Sequence, residues 1–216
     1  VKRFIKAAGI PENVFTVWRN VFRNFDMQKA RQTSMLFHGG SSGIGTTATV
    51  LAKGFGVDKV VVTAGSDQKC NECLKIGADV AINYKKEDDW TENAGKVDFI
   101  LDMVGGEYLN QNLKILNTNG KLVIIGFLKS PISKVNMTRV LLKSLTITGS
   151  VLRSQPQSFK ELLANEIRES VWPLIETGKV KLPAKISHVF KGIDHTEEAL
   201  SVMKSSSHIG KIIVQV

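Results

Sequence analysis

The residues best suited to chemistry form one short string, His38-Gly-Gly-Ser-Ser-Gly-Ile-Gly45. In a G-x-G-x-x-G frame its key positions are Gly40, Ser42 and Gly45. Between a strand and a helix, such a string cradles a pyrophosphate. Gly40 is expected to allow the tight turn and Gly45 to let helix and strand pack closely. Ser42 replaces the usual middle glycine with a small side chain where backbone must approach the phosphates. The helix N-terminus beyond it offers free N–H groups and the positive end of the helix dipole.

A second group lies about 20 residues on, where an NAD-binding site usually carries an Asp or Glu for the ribose 2′-hydroxyl. Here the second strand ends Thr63-Ala-Gly-Ser66, without a carboxylate. Asp67 comes one residue later, where it favours the first turn of the next helix. Ser66, Lys69 and Tyr84 together read as a 2′-phosphate pocket and point to NADP(H), although Lys69 alone would pass for a solvated surface lysine. On the far side, Asp102-Met-Val-Gly-Gly106, which contains Val104, and Ile125-Gly-Phe-Leu128 end at the carboxyl edge of the sheet. Their glycines let backbone approach a ribose or the nicotinamide, and Asp102 also suits a turn cap.

Other chemistries find less support. Cys70 and Cys73 have C-x-x-C spacing, but zinc needs two more ligands, and the four histidines, His38, His188, His195 and His208, are scattered. Two cysteines on one helix face is the simpler reading. Two cysteines are also too few for a disulfide framework, which fits a reducing, cytoplasmic setting. The net charge of +9 is spread along the chain without interleaved aromatics, so no nucleic-acid partner is expected. No apolar run is long enough to span a membrane, so none is expected as a partner.

The elements that must position these residues alternate. Strands are expected at Met35–His38, Lys59–Thr63, Val80–Tyr84, Phe99–Val104, Lys121–Ile125 and Thr146–Val151. Helices are expected at Ile44–Phe55, Ser66–Ile76, Tyr108–Leu116 and Thr138–Ser144. The Lys85–Val97 crossover has room for a very short helix at most. The fold class is therefore α/β, a doubly wound parallel six-stranded sheet in the order 3-2-1-4-5-6. A long helix over Gln157–Glu176 should follow, then strand Ile186–Phe190, helix Thr196–Lys204 and strand Lys211–Val216. These last strands need a partner to bury their apolar faces. The expected organisation is a junction helix in residues 1–28, an NADP(H)-binding domain in 29–152, a connecting helix in 153–182 and part of a catalytic domain in 183–216. The chain begins with Val, and both ends read as remnants of a second domain whose front half is absent, leaving a fragment without activity of its own. Thr146–Val151, uncharged and at the sheet edge, invites pairing with a second copy. The competing cover is the Gln157–Glu176 helix folded back over that edge.

Gly-Gly-Ser-Ser-Gly-Ile-Gly also resembles the opening of short-chain dehydrogenases, which need Tyr-x-x-x-Lys. Tyr84 is followed at that spacing by Asp88 and Tyr108 by Asn112, so that chemistry is missing. A closer resemblance runs nearly the whole chain. Ala7–Glu12 with Thr16-Val-Trp18, His38–Thr46, Thr63–Ser66 with Lys69, Ala81–Tyr84, Asp102–Gly106, Ile124–Phe127, Gly149–Arg153, Val171–Pro173 and His208–Lys211 are similar to zeta-crystallin-like quinone oxidoreductases. These belong to the medium-chain dehydrogenase/reductase superfamily. The resemblance implies zinc-independent, NADPH-dependent reduction of a quinone or related enone, and a homodimer. It also implies that Thr16 approaches the nicotinamide, that Ser42, Gly43 and Ile44 meet the pyrophosphate, and that Phe127, Leu128 and Ser150 line the nicotinamide side. The Lys85–Val97 crossover is shorter than the family's. A non-catalytic NADP(H)-binding redox sensor or scaffold is the alternative.

Overall fold

The computed structural model describes residues 2–86 and 89–216. Glu87 and Asp88, within the short crossover, and Val1 lie outside the described residues. Strands β1 (Ser34–Phe37), β2 (Lys59–Ala64), β3 (Val80–Asn83), β4 (Val97–Asp102), β5 (Leu116–Ile124) and β6 (Thr146–Gly149) form one sheet ordered β3-β2-β1-β4-β5-β6. All five pairings are parallel. This is the expected doubly wound arrangement.

Parallel strands are covered on both faces, so their side chains are apolar in both directions. Met35, Leu36 and Phe37 of β1 are all fully buried. Met35, Phe37, Val60, Val62, Phe99 and Leu101 face one layer. That layer contains helices α2 (Pro11–Val17), α3 (Gly43–Gly54), α4 (Asp67–Ile76) and α8 (Gln157–Ser170), and a π-helical turn over Trp18–Phe22 that continues α2. Leu36, Val61, Ile82, Ile100 and Leu122 face the other layer, formed by α5 (Thr91–Ala94), α6 (Tyr108–Ile115) and α7 (Thr138–Lys143). Among the described residues, the short crossover holds the four-residue α5, anchored by buried Trp90.

Several boundaries differ from expectation for local reasons. The long helix predicted over Gln157–Glu176 is broken at Val171 into α8 and α9 (Trp172–Glu176). Pro173 cannot donate to a continuing helix and instead occupies the first turn of a new one. Strand β4 stops at Asp102 rather than Val104, because the Asp102 carboxylate accepts from the Val104 and Gly105 N–H groups at 2.6 and 3.2 Å and bends the chain. Strand β5 begins at Leu116, and Asn119-Gly120 forms an irregularity within it. Asn119 takes a positive φ of 62° and the register against β4 shifts between Val97 and Phe99.

At the C-terminus, β7 (Ile186–Lys191) and β8 (Lys211–Gln215) pair in parallel with each other, joined through α10 (Thr196–Lys204). This pairing satisfies their backbone edges but leaves their faces largely open: Ile213 is the one buried residue of the two strands and Val189 is exposed. Gly210 donates its N–H to the Ser41 carbonyl at 2.8 Å, stitching this small unit to the glycine-rich loop. Helix α1 (Lys2–Ala8) packs beside β8. Strand β6 forms the sheet edge with Thr146, Thr148 and Gly149 exposed. Leu163 and Ile167 bury α8 against the sheet face, not over that edge. Among the described residues no helix is long and apolar enough to cross a membrane.

Candidate functional site

The glycine-rich loop leaves β1 and enters α3 at the carboxyl edge of the sheet. Its left-handed residue is Gly39, with φ of 65°, and not Gly40 as the motif frame suggests. Gly40 is small for a different reason: a Cβ there would collide with the Val62 side chain of β2. At Gly45 a Cβ would run into the Gly39 carbonyl and the Gly40 backbone, so the helix can approach the strand only without a side chain. Ser42 caps α3, its Oγ accepting the Gly45 N–H at 3.0 Å. The first intrahelical bond runs from Thr46 N–H to the Ser42 carbonyl at 2.9 Å. The Gly43 and Ile44 N–H groups, on the first turn, are then the donors left to meet an anion. A Cβ at Gly43 would press on Asn13 of α2 and Lys211 of β8, so three distant segments meet at this loop.

The tip of β2 gathers the second group. Ser66 caps α4 by accepting the Lys69 N–H at 3.3 Å, which leaves its hydroxyl proton to donate outward. A Cβ on Gly65 would sit 2.8 Å from the Tyr84 hydroxyl, placing that ring directly over the strand tip. The Lys69 ammonium donates to the Ser206 carbonyl of the C-terminal unit. Its pKa is lowered, first by burial and then by the Lys85 ammonium. Ser66, Lys69 and Tyr84 are therefore brought together, with Lys85 as an additional cation that sequence reasoning did not single out. Asp67 is turned away to Asn83 Nδ2 at 2.7 Å and Lys86. These contacts hold its carboxyl below the usual range, and among the described residues no carboxylate occupies the strand tip.

At the other end, Thr16, Asn20, Ile125 and Ser150 line a cavity of about 620 Å³, together with Phe15, Leu152 and Arg153. The structure brings Thr16 and Ser150 together here, whereas Phe127 and Leu128 are exposed and outside this lining. Phe127 instead lies against Gly105, whose φ of 69° requires glycine, and Leu128 N–H bonds the Met103 carbonyl at 2.9 Å. Val104 accepts from the Lys129 N–H at 2.9 Å and so ties the two glycine-bearing turns together. Asn20 was missed from the sequence. Its signal was available: it follows Thr16 by one helical turn and shares its face.

Beneath the loop lies a fully buried polar chain. Asn112 Nδ2 donates to Asp102 Oδ2 at 3.0 Å, so its Oδ1 accepts from His38 Nε2 at 2.8 Å. His38 Nδ1 is then the acceptor for the Thr63 hydroxyl at 2.9 Å. The hydrogen-bond inventory assigns a neutral imidazole protonated at Nε2. Burial pushes the His38 pKa down, against the opposing pull of Asp102 and Asn112. The chain ties the ends of β1, β2 and β4 to α6 under the nucleotide loop.

Six parallel strands, a capped glycine turn and two polar ends at the carboxyl edge define a dinucleotide-binding domain of the Rossmann class. The family model for zinc-binding dehydrogenases matches residues 43–168, and the chain belongs to that family, within the medium-chain dehydrogenase/reductase superfamily. It is 29% identical to a zinc-type alcohol dehydrogenase-like protein of Schizosaccharomyces pombe, over 99% of this chain and 60% of that one. It is 28% identical to the quinone oxidoreductase of Rattus norvegicus, over 96% of this chain and 61% of that one. Among solved structures, an NAD-dependent alcohol dehydrogenase superposes with a TM-score of 0.80 at 26% identity, covering 99% of this chain and 59% of that one. Escherichia coli quinone oxidoreductase complexed with NADPH gives 0.79 at 24% identity, covering 98% and 65%, a likeness of fold. The chain spans about 60% of the length of the curated relatives it matches. Among the described residues no three His, Cys, Asp or Glu side chains converge. Cys70 and Cys73 are buried free thiols, and Cys73 is pushed up to about 12, chiefly by burial.

Proposed function

We propose that this chain provides the cofactor-binding part of an NADPH-dependent oxidoreductase that reduces a quinone or a related enone. The observation that carries the NADPH reading is the corner formed by Ser66, Lys69, Tyr84 and Lys85 with Asp67 turned aside. A 2′-phosphate there meets a hydroxyl donor and two cations, while a bare 2′-hydroxyl finds no carboxylate among the described residues to receive it. The cofactor, when bound, supplies the hydride. The chain's residues do the rest: Gly43 and Ile44 N–H groups hold the pyrophosphate, and Thr16 and Ser150 border the cavity in which two planar rings must be held face to face. The quinone or enone assignment is supported by the motif resemblance and by the name of the rat relative, while alcohol and L-threonine dehydrogenases stand among the other relatives. We further propose a homodimer that joins β6 edges, supported by the exposed, uncharged edge and by exposed Leu141, Leu142 and Val151 in the segments around it.

The test is a fluorescence titration of NADPH and NADH with this chain, followed, in a protein that includes the expected front half of the catalytic domain, by NADPH oxidation with 1,4-benzoquinone set against NADP⁺ reduction with a short alcohol and with L-threonine. Tighter NADPH binding and quinone-dependent turnover are expected. Equal affinities sink the NADPH reading, and turnover only with an alcohol or L-threonine sinks the quinone assignment.

A further inference from the structure

We propose that Asn20 is a positioning residue for the nicotinamide end of the site, acting through Ser150. The proposal rests on the cofactor reading above.

The Asn20 carboxamide is buried, with only 7% of the residue exposed. It sits in the π-helical turn Trp18–Phe22, where α2 widens by one residue per turn as it passes the cavity. Such widenings re-aim a side chain that a regular helix would point elsewhere, and they concentrate at functional sites. Asn20 Nδ2 donates to the Thr16 carbonyl at 2.8 Å. A carbonyl only accepts, so the amide nitrogen must face Thr16, and the orientation of the carboxamide is fixed. Its Oδ1 therefore faces Ser150, whose hydroxyl donates to it at 2.6 Å across 130 residues of sequence. The Ser150 backbone is fixed as well, its N–H extending β6 to the Ile124 carbonyl at 3.2 Å.

The consequence is a matter of proton inventory. A serine hydroxyl has one proton, and here Asn20 takes it. What Ser150 Oγ offers the cavity is acceptor capacity alone. The complementary ligand group is an N–H donor, and the one polar substituent of a nicotinamide ring is a carboxamide with an NH₂. Asn20 thus decides which way round the ring's carboxamide is accepted, without touching the ring. Without Asn20 the hydroxyl rotates freely and serves as donor or acceptor alike.

The experiment uses the 216-residue chain and two ligands. NADPH occupies both ends of the site, while 2′,5′-ADP occupies only the adenosine end. Asn20→Ala is expected to weaken NADPH binding about fivefold to tenfold, the worth of one neutral hydrogen bond, and to diminish the emission enhancement of the bound nicotinamide. Affinity for 2′,5′-ADP should stay within about twofold. Ser150→Ala should reproduce this pattern, and the double variant should bind no more weakly than either single one, because coupled residues are non-additive. Unchanged NADPH binding in Asn20→Ala, an equal loss of 2′,5′-ADP binding, or additive losses in the double variant each overturn the proposal. Failure of the unsubstituted chain to bind either ligand overturns the cofactor reading itself. Ser150→Ala, at a partly exposed position, keeps the test open if Asn20→Ala does not fold.

Discussion

The two ends of the proposed nucleotide site are assembled from different distances along the chain. The adenosine end takes Ser66 and Lys69 from one turn of α4 and Tyr84 from the end of the neighbouring strand. The nicotinamide end joins Thr16 and Asn20 to Ile125 and Ser150, held by the Ser150–Asn20 bond. The first end is built by local capping and one β-pairing. The second depends on the whole face of the sheet on which α2, its π turn and α8 pack. There Trp18 Nε1 and Arg23 Nε both donate to Glu166 of α8, at 2.8 and 3.0 Å, and Arg19 donates to the Val151 carbonyl at 3.0 Å. Damage to the packing should therefore reach the nicotinamide end first, and damage to the glycine turn should reach both.

The widest effect, reaching both ligands at once, is expected at the point the two ends share. Gly45→Val places a side chain against the Gly39 carbonyl and the Gly40 backbone. Overpacking of this kind costs about 1–3 kcal/mol, and both NADPH and 2′,5′-ADP should lose affinity by ~5- to 150-fold in calorimetry. Retention of either would break the idea of a common hinge for the two ends.

Lys69→Ala should act on the adenosine end alone. Losing a charge-assisted contact to phosphate costs about 1.5–3 kcal/mol, or ~10- to 150-fold in affinity for NADPH. NADH binding should hardly change, and a parallel loss for NADH would show that Lys69 braces the fold through Ser206 instead.

Glu166→Gln sharpens the contrast from the other side. It weakens the shared anchor of Trp18 and Arg23, at side chains about a quarter exposed. Melting should come earlier by the equivalent of about 1 kcal/mol. NADPH should bind more weakly while 2′,5′-ADP binds as before.

Ile147→Lys tests the edge beyond Ser150. A charge on β6 should shift the sedimenting species from dimer to monomer at tens of micromolar, about the range set by weak β-edge pairing. A wild-type chain already monomeric there, and unaffected by the lysine, removes the dimer.

The smallest effect concerns pH and the buried chain beneath both ends. Burial lowers the His38 pKa below its ordinary value of 6.5. The unfolded chain then binds the proton that the folded one refuses. Stability from this source is present above pH 6.5 and is lost as pH falls below it. Asp102, facing His38 through Asn112, opposes the shift, and His208, also lowered, contributes in the same window. His38→Gln should flatten melting temperature between pH 7.5 and 5.5, a window spanning about a unit on either side of an ordinary histidine. An unchanged slope would assign the dependence to His208.

The order and pairing of the sheet were legible in the sequence because apolar runs, glycine turns and crossover lengths are local signals. So was the α4 cap at Ser66, where the hydroxyl and the helix it opens are neighbours in the chain. The break at Val171 was written in Pro173 but overlooked beneath an amphipathic pattern that runs through it. The role of Gly40 was not legible, since Val62, which demands a residue without a Cβ there, lies on another strand. The same holds for Asn20. Its type and its spacing from Thr16 are in the sequence, but its hydrogen-bond partner is 130 residues away. The chain by itself thus determined which elements form and where the glycine turn proposed to meet a phosphate lies. Only the tertiary structure decided which way the hydroxyl of Ser150 points its proton, because that depends on a carboxamide brought to it by packing rather than by chain connectivity.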